Sequence, residues 1–154
     1  MNKIEIVNDK ETNQFVTMTV GNQIFAVSVD YIVDVLSTQK INKIPLANKE
    51  IIGSLNLRGR IVTALDISIL LDMDEKIDLE KNMCIVVEYD NELFSLIVDK
   101  VNDVVSIPKD LLMKNPDNLN HLWHEISLGI FPMDNDLVVV LDINKLMLSL
   151  LDKK

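Results

Sequence analysis

The chain has 154 residues, a formal net charge of −9 at pH 7 and a pI near 4.6. That balance argues against nucleic-acid binding and against docking on an anionic membrane surface, both of which rely on clustered Lys and Arg. Hydrophobic residues make up 48% and aromatics only 5%, which predicts an aliphatic core for one ordinary domain or for two small lobes that share it.

No apolar run approaches the ~20 residues of a membrane span. The opening Met1-Asn2-Lys3-Ile4-Glu5 lacks the apolar stretch of a signal peptide. A single cysteine, Cys84, excludes an internal disulfide and a Cys-rich zinc site. The simplest expectation is a cytoplasmic protein.

Residues 1–14 are polar and mixed in charge and are expected to be flexible, with one domain over 15–154. Phe15 to Val20 reads as a strand rich in β-branched residues, and Gly21-Asn22 as a two-residue hairpin turn. Ile24 to Val29 reads as the partner strand. Asp30 then stands as the N-cap of a short helix on which Val29, Val33 and Leu36 fall at helical spacing.

Further along, Leu55-Asn56-Leu57-Arg58-Gly59-Arg60 runs directly into Ile61-Val62-Thr63-Ala64-Leu65-Asp66. Two apolar runs face each other across a turn, with Gly59 supplying the positive φ of a tight reversal. Arg58 and Arg60 are the only arginines of the chain. Between Thr38 and Leu65 the charges are Lys40, Lys43, Lys49, Arg58 and Arg60 against Glu50 alone, a basic segment that could steer an acidic partner. Asp72 to Glu80 reads as an acidic surface linker.

The second part of the chain repeats the first. A shift of 69 residues, from Phe15 to Cys84, aligns Asn22 with Asn91, Phe25 with Phe94, Asp30 with Asp99, Asp34 with Asp103 and Ser37 with Ser106. A shift of 76 aligns Gly53 with Gly129, Val62 with Val138, Leu65 with Leu141 and Asp66 with Asp142. The change of offset implies a net seven-residue insertion around Pro108, Pro116 and His121. Repeat one spans 15–71 and repeat two 84–147, and neither is large enough to be stable alone. The expected fold is mainly β: two small five-stranded barrels from an internal duplication, packed together with short helices, their lobes interleaved or sequential. Ile143, Leu146, Met147, Leu150 and Leu151 lie on one face of a C-terminal helix behind Asp142 as N-cap.

Candidate chemistry is sparse. His121-Leu122-Trp123-His124-Glu125 brings two histidines to i, i+3, but a metal site needs at least three protein ligands, so a polar turn around a partly buried Trp123 is the better reading. Asp30/Asp34 and Asp99/Asp103, at i, i+4, fit capping and solvated positions better than catalytic dyads, which need burial to separate their pKa values. No nucleophile elbow, phosphate loop or dinucleotide fingerprint is present, and the four glycines all read as turn residues. No enzyme, cofactor or metal is expected. The Arg58 turn stands apart, because its counterpart is Asp134-Asn135-Asp136. The fold needs the turn but not the arginines.

These residues resemble a known family. Asn56-Leu57-Arg58-Gly59 followed by Ile61-Val62 and Leu65-Asp66-Ile67 is similar to the signature of CheW, the bacterial chemotaxis adaptor. The likeness extends to Val20-Gly21, Ile32 to Ser37, Ile44-Pro45 leading to Gly53, and Ile97-Val98-Asp99 with Val101 and Asp103-Val104. It implies paired five-stranded barrels of the Src-homology type and a non-catalytic role. Such proteins bridge the cytoplasmic hairpin tip of methyl-accepting chemoreceptors to the regulatory domain of the histidine kinase CheA, at membrane receptor arrays.

By position, the resemblance assigns Arg58, with Asn56 and Gly59 shaping its turn and Arg60 beside it, to the interaction surface. Ile32 and Val33, on the helix after the first hairpin, would line a receptor-facing groove between lobes, with Ser95 and Leu96 across it. Family members commonly carry glycine where Ser95 stands and proline where Thr63 and Asn48 stand. Two alternatives stay open: a detached CheA regulatory domain or an adaptor of a non-chemotactic receptor pathway, and a small-molecule-binding β-barrel, which would need an enclosed pocket with converging polar groups.

Overall fold

The structure, a computed structural model, describes residues 12–37, 40–45, 48–73, 78 and 81–151. The first strand, β1 (Thr12–Val20), starts three residues ahead of the expected Phe15 and pairs with β2 (Gln23–Ser28) across the Gly21-Asn22 turn. Residues 1–11 of the expected flexible start, and most of the expected acidic linker, lie outside the described residues.

After β2 come a 3-10 turn (Val29–Tyr31), β3 (Ile32–Ser37), the two-residue β4 (Asn42–Lys43), β5 (Ile51–Leu57), β6 (Arg60–Asp66) and a short helix, α1 (Ile67–Leu70). The second copy supplies β7 (Met83–Tyr89), β8 (Glu92–Val98), β9 (Lys100–Pro108) and a 3-10 turn (Lys109–Leu111). It ends with α2 (His121–Ile126), β10 (Ser127–Met133), β11 (Asp136–Leu141) and α3 (Ile143–Leu151).

The segment expected to be a helix after the first hairpin is β3, and its counterpart after the second hairpin is β9. Val29, Val33 and Leu36 do fall at helical spacing, but Ile32, Asp34 and Leu36 also alternate with Val33, Val35 and Ser37, and the alternation is what the burial follows. β-Branched Ile32, Val33 and Val35 lose rotamer freedom in a helix and fit a pleated ladder. Pairing of β3 with β7 and of β9 with β1 decides the matter. Asp30 is accordingly no helix N-cap: Ser28 Oγ accepts from the Asp30 N–H at 3.2 Å. Asp99 accepts from the Gly21 N–H at 2.7 Å and so braces the hairpin turn of the other copy.

The two sheets exchange their parts. One has the order β10-β11-β2-β1-β9, the other β3-β7-β8-β6-β5-β4. Each therefore takes the first hairpin of one repeat and the later strands of the other, so the lobes are interleaved. The parallel contact Phe25↔Val139 between β2 and β11 has its image in Phe94↔Thr63 between β8 and β6, related by the same offsets of 69 and 76. The bulge in β1–β9 between Val16 and Met18 reappears in β3–β7 between Ile32 and Asp34. That in β5–β6 at Ile51/Gly53 reappears in β10–β11 at Ser127/Gly129. The expected five strands per unit are present, with β4 as a short addition to one sheet.

Gly53 and Gly129 lie in strands, not in turns. A Cβ on Gly53 would overlap the Asn42 carbonyl where β4 pairs with β5, and one on Gly129 would overlap the Met113 carbonyl, whose residue bridges Ile130. The same close approach is built twice.

The main core is one continuous cluster, to which one sheet contributes Val16, Met18, Phe25 and Val27 and the other Ala64, Leu65, Ile85, Leu96 and Ile97. A smaller cluster of Phe15, Ala26, Ile107, Val138 and Val140 fills the far side of the five-stranded sheet. Its central strands are covered on both faces, which is why they read as unbroken apolar runs. On α3 the expected face is buried through Ile143, Leu146, Met147 and Leu150, and the helix packs on α2 and β7.

Candidate functional site

The Arg58 turn is a two-residue hairpin loop closing β5 onto β6, with Leu57 paired to Arg60. Both central residues have positive φ, Arg58 at 51° and Gly59 at 85°. This is the twist that a two-residue hairpin demands. Asn56 Oδ1 accepts from the Gly59 N–H at 2.9 Å and holds the loop from below. Glycine tolerates such a backbone freely, whereas arginine pays about 1–2 kcal/mol for it. The matching residue in the other copy, Asp134, has φ 54°, a conformation in which a short polar side chain is more at ease. Arg58 is therefore a locally poor choice for its own position.

Its guanidinium reaches β3, where Arg58 Nη2 donates to Asp34 Oδ2 at 2.9 Å. The other oxygen, Asp34 Oδ1, accepts from the Val35 N–H at 2.8 Å. In the sheet β3 and β6 are separated by β7 and β8, so the pair joins an edge strand to a hairpin tip across the curled sheet. Arg58 remains 74% exposed and Asp34 23%, so the bridge contributes only about 0–1 kcal/mol to stability. It orients the guanidinium and leaves most of its surface open. Elsewhere in the segment Lys40, Lys43 and Lys49 are exposed while Glu50 is buried, so the charges it shows to solvent are basic.

Asn56, Arg58 and Gly59 are thus brought together as expected, and the partner of Arg58 is Asp34, which sequence reasoning had read only as half of an i, i+4 carboxylate pair. Arg60 leaves the turn in another direction. With Gly59, Ile61 and Thr63 it lines a depression of about 490 Å³ shared with Asn91, Glu92 and Leu93 of the neighbouring hairpin.

Ile32 and Val33 do not share a face. Being adjacent on a strand they point oppositely: Ile32 packs against the core, while Val33 is 44% exposed, next to exposed Val35. Val35 was missed because the segment was read as a helix. The alternating pattern was its only signal.

Ser95 and Leu96 do not border a groove. Both are fully buried on β8, with Ser95 held between Val86 of β7 and Ala64 of β6. A central strand covered on both faces has no side to offer a partner.

His121-Leu122-Trp123-His124-Glu125 is helical where a turn was expected. Asn120 Oδ1 caps α2 by accepting from the Leu122 N–H. His121 pairs with Glu125 at 3.3 Å, and His124 Nε2 contacts the Pro116 carbonyl at 2.8 Å. Trp123 Nε1 donates to the Leu71 carbonyl at 2.9 Å, and its ring meets Phe25 edge-on, centroids 5.2 Å apart. Among the described residues no three His, Cys, Asp or Glu side chains converge as a metal site, and no helix is long and apolar enough to cross a membrane.

The fold and this site define a class: a duplicated, interleaved pair of β-sheets that displays a cationic hairpin tip braced on a sheet edge. The family model for the CheW-like domain matches residues 14–150, and the chain belongs to that family. The chemotaxis protein CheW of Klebsiella aerogenes is 24% identical over 136 residues, 88% of this chain and 82% of the relative. The chemotaxis protein CheW of Bacillus subtilis is 23% identical over 145 residues, 94% and 90% of the two chains. The crystal structure of the scaffolding protein TtCheW from Thermoanaerobacter tengcongensis aligns with a TM-score of 0.78 at 22% identity, covering 87% of this chain and 86% of that one, a likeness of fold.

Proposed function

We propose that the chain is a non-catalytic chemotaxis adaptor, coupling the cytoplasmic hairpin tip of methyl-accepting chemoreceptors to the regulatory domain of a CheA-type histidine kinase. The observation that carries this reading is the family match over residues 14–150, which embraces both repeats and every element of the interleaved fold. The site supports it in detail. Arg58 is kept in a backbone conformation that arginine disfavours, and a stabilising contact as weak as the Asp34 bridge does not account for it. A cation held in place but left exposed is suited to meet a partner's carboxylate.

In this mechanism the protein works by placement and makes or breaks no covalent bond. An apolar strip with Val33 and Val35 on the β3 edge meets a receptor helix, the helix-in-groove mode, with Arg58 fixing its register. Receptor state passes to the kinase only if the two states make different contacts with the adaptor. The protein acts in the cytoplasm, recruited to receptor arrays. Pull-down of a receptor cytoplasmic fragment and of the kinase regulatory domain by wild-type and Arg58→Glu protein tests the site. Loss of at least one partner is expected, and undiminished capture of both would reduce the turn to architecture.

A further inference from the structure

The five-stranded sheet curls around a small core of its own. Its edge strands are β9 and β10, and they approach each other through the residues that follow β9, where Met113 bridges Ile130. This closure encloses Phe15, Ala26, Ile107, Val138 and Val140, with Leu112 packed against them. The other sheet is closed at the matching place by β4, which makes two pairs to β5. The Asn42 carbonyl and Ile41 side chain that cover Gly53 correspond to the Met113 carbonyl and Leu112 side chain that cover Gly129. A two-residue strand in one copy is thus a single bridge in the other.

Beside the single bridge the small core is open to solvent. A cavity of about 260 Å³ is lined by Phe15, Ile107, Lys109, Leu112 and Leu128. Phe15 and Ile107 are buried members of the small core, so the floor of the cavity is that core. Leu112 and the half-exposed Leu128 stand above it. Lys109 lies on the 3-10 turn, where its carbonyl accepts from the Leu112 N–H at 3.2 Å. It is the only charged residue of the lining and has no ion pair among the described residues. A lysine lays its stem along apolar surface and keeps its ammonium in water, so the charge belongs at the mouth of the cavity.

We propose that this cavity binds a medium-chain aliphatic carboxylate, its tail against Phe15, Ile107, Leu112 and Leu128 and its head at the Lys109 ammonium. Three features select that chemistry. An apolar floor and walls favour methylene groups and give a buried polar group no partner. One compact ammonium suits a single carboxylate, whereas a phosphate is better held by several donors or a guanidinium fork. The cavity also runs inward from an exposed rim to buried side chains, a path that a thin flexible chain can follow and a flat protein surface cannot. No polar groups converge in the lining, so the ligand is held and not transformed. The site shares no residue with the Arg58 turn or β3, and the inference does not rest on the adaptor reading.

The test is titration of purified full-length protein with hexanoate, octanoate and decanoate up to roughly 10 mM, a range suited to a weak site. Carbon-13 methyl spectra report on Ile107, Leu112 and Leu128. Saturable shifts of these methyls are expected, with affinity rising about fourfold per added methylene until the cavity is full and level thereafter. Lys109→Glu should weaken octanoate about three- to tenfold and leave 1-octanol, which has the same tail without the charge, unchanged. Circular dichroism confirms that the variant is folded, and Lys109→Gln replaces it if it is not. Methyls that octanoate does not move, affinity that climbs without levelling as for a detergent, or a Lys109 variant that holds octanoate as wild type does would each overturn the proposal. So would the same methyl shifts produced, with no carboxylate added, by raising the protein concentration or by adding a receptor fragment, since the occupant would then be a protein.

Discussion

Arg58 Nη2 stands 2.9 Å from Asp34 Oδ2, and this contact has no image in the other half of the molecule, where the equivalent residues, Asp134 and Asp103, are both acidic. A fold that otherwise repeats its strand registers and bulges breaks its symmetry at this point. Folding is satisfied either way, since the acidic turn closes the same hairpin as the basic one. The bridge orients an exposed guanidinium and is not needed to close the hairpin.

The first prediction separates strain from function. Arg58→Asn places a residue tolerant of positive φ in the turn and gives up the exposed bridge to Asp34. Stability by urea denaturation should stay level or rise by up to about 1 kcal/mol, while capture of the partner that reads Arg58 falls at least about tenfold. A loss of stability well beyond 1 kcal/mol would mean that the bridge to Asp34 is structural.

Strand alternation makes a paired prediction at adjacent positions. Val33→Asp adds a charge to an exposed side of β3 and should leave the thermal midpoint within a few degrees of wild type. Ile32→Asp drives a carboxylate toward the core and should cost about 2 kcal/mol or more. Equal effects from the two would contradict the assignment of β3 as a strand.

The glycine in β5 is held by the close approach of its neighbouring strand β4. Gly53→Ala sets a methyl group against the Asn42 carbonyl, backbone that cannot step aside without moving β4, and should destabilise by about 1–3 kcal/mol. The readout is the denaturant midpoint at unchanged slope. Gly129→Ala, facing the Met113 carbonyl, should behave alike, with added strain from its φ of 153°.

Trp123 ties the second copy's extra helix to the first copy's residues. Trp123→Phe keeps a ring against Phe25 but strands the Leu71 carbonyl, and a loss of about 1–2 kcal/mol is expected. As the single tryptophan it also reports on unfolding. Its fluorescence should shift in step with far-UV circular dichroism if both sheets unfold as one unit. Two separate transitions would show that the lobes are independent.

How much was legible follows from the range of the forces involved. Hairpin turns at Gly21-Asn22 and Arg58-Gly59, the cap at Asp142 and the buried face of α3 depend on neighbours a few residues away, and local pattern reveals them. The duplication was legible because both copies answer to the same packing demands. The segment Ile32 to Ser37 was not, since helical and alternating patterns coexist there and the choice is made by β7, about fifty residues on in the chain. Ser95 and Leu96 were placed beside a groove by the resemblance alone, and nothing in their sequence neighbours announces that β6 and β7 flank them on both sides.

By itself, then, the sequence determined that the chain is a β-rich duplication with one cationic hairpin in an acidic protein, because composition, turns and repeats are properties of short stretches and of their recurrence. The exchange of hairpins between the two sheets, the Arg58–Asp34 contact and the burial of β8 came only from long-range strand pairing. Offsets of 69 and 76 state which residues are equivalent, but not whether each copy pairs with itself or with the other. That choice rests on closing a shared core between sheets, where apolar area is removed from water collectively and no local stretch records the outcome.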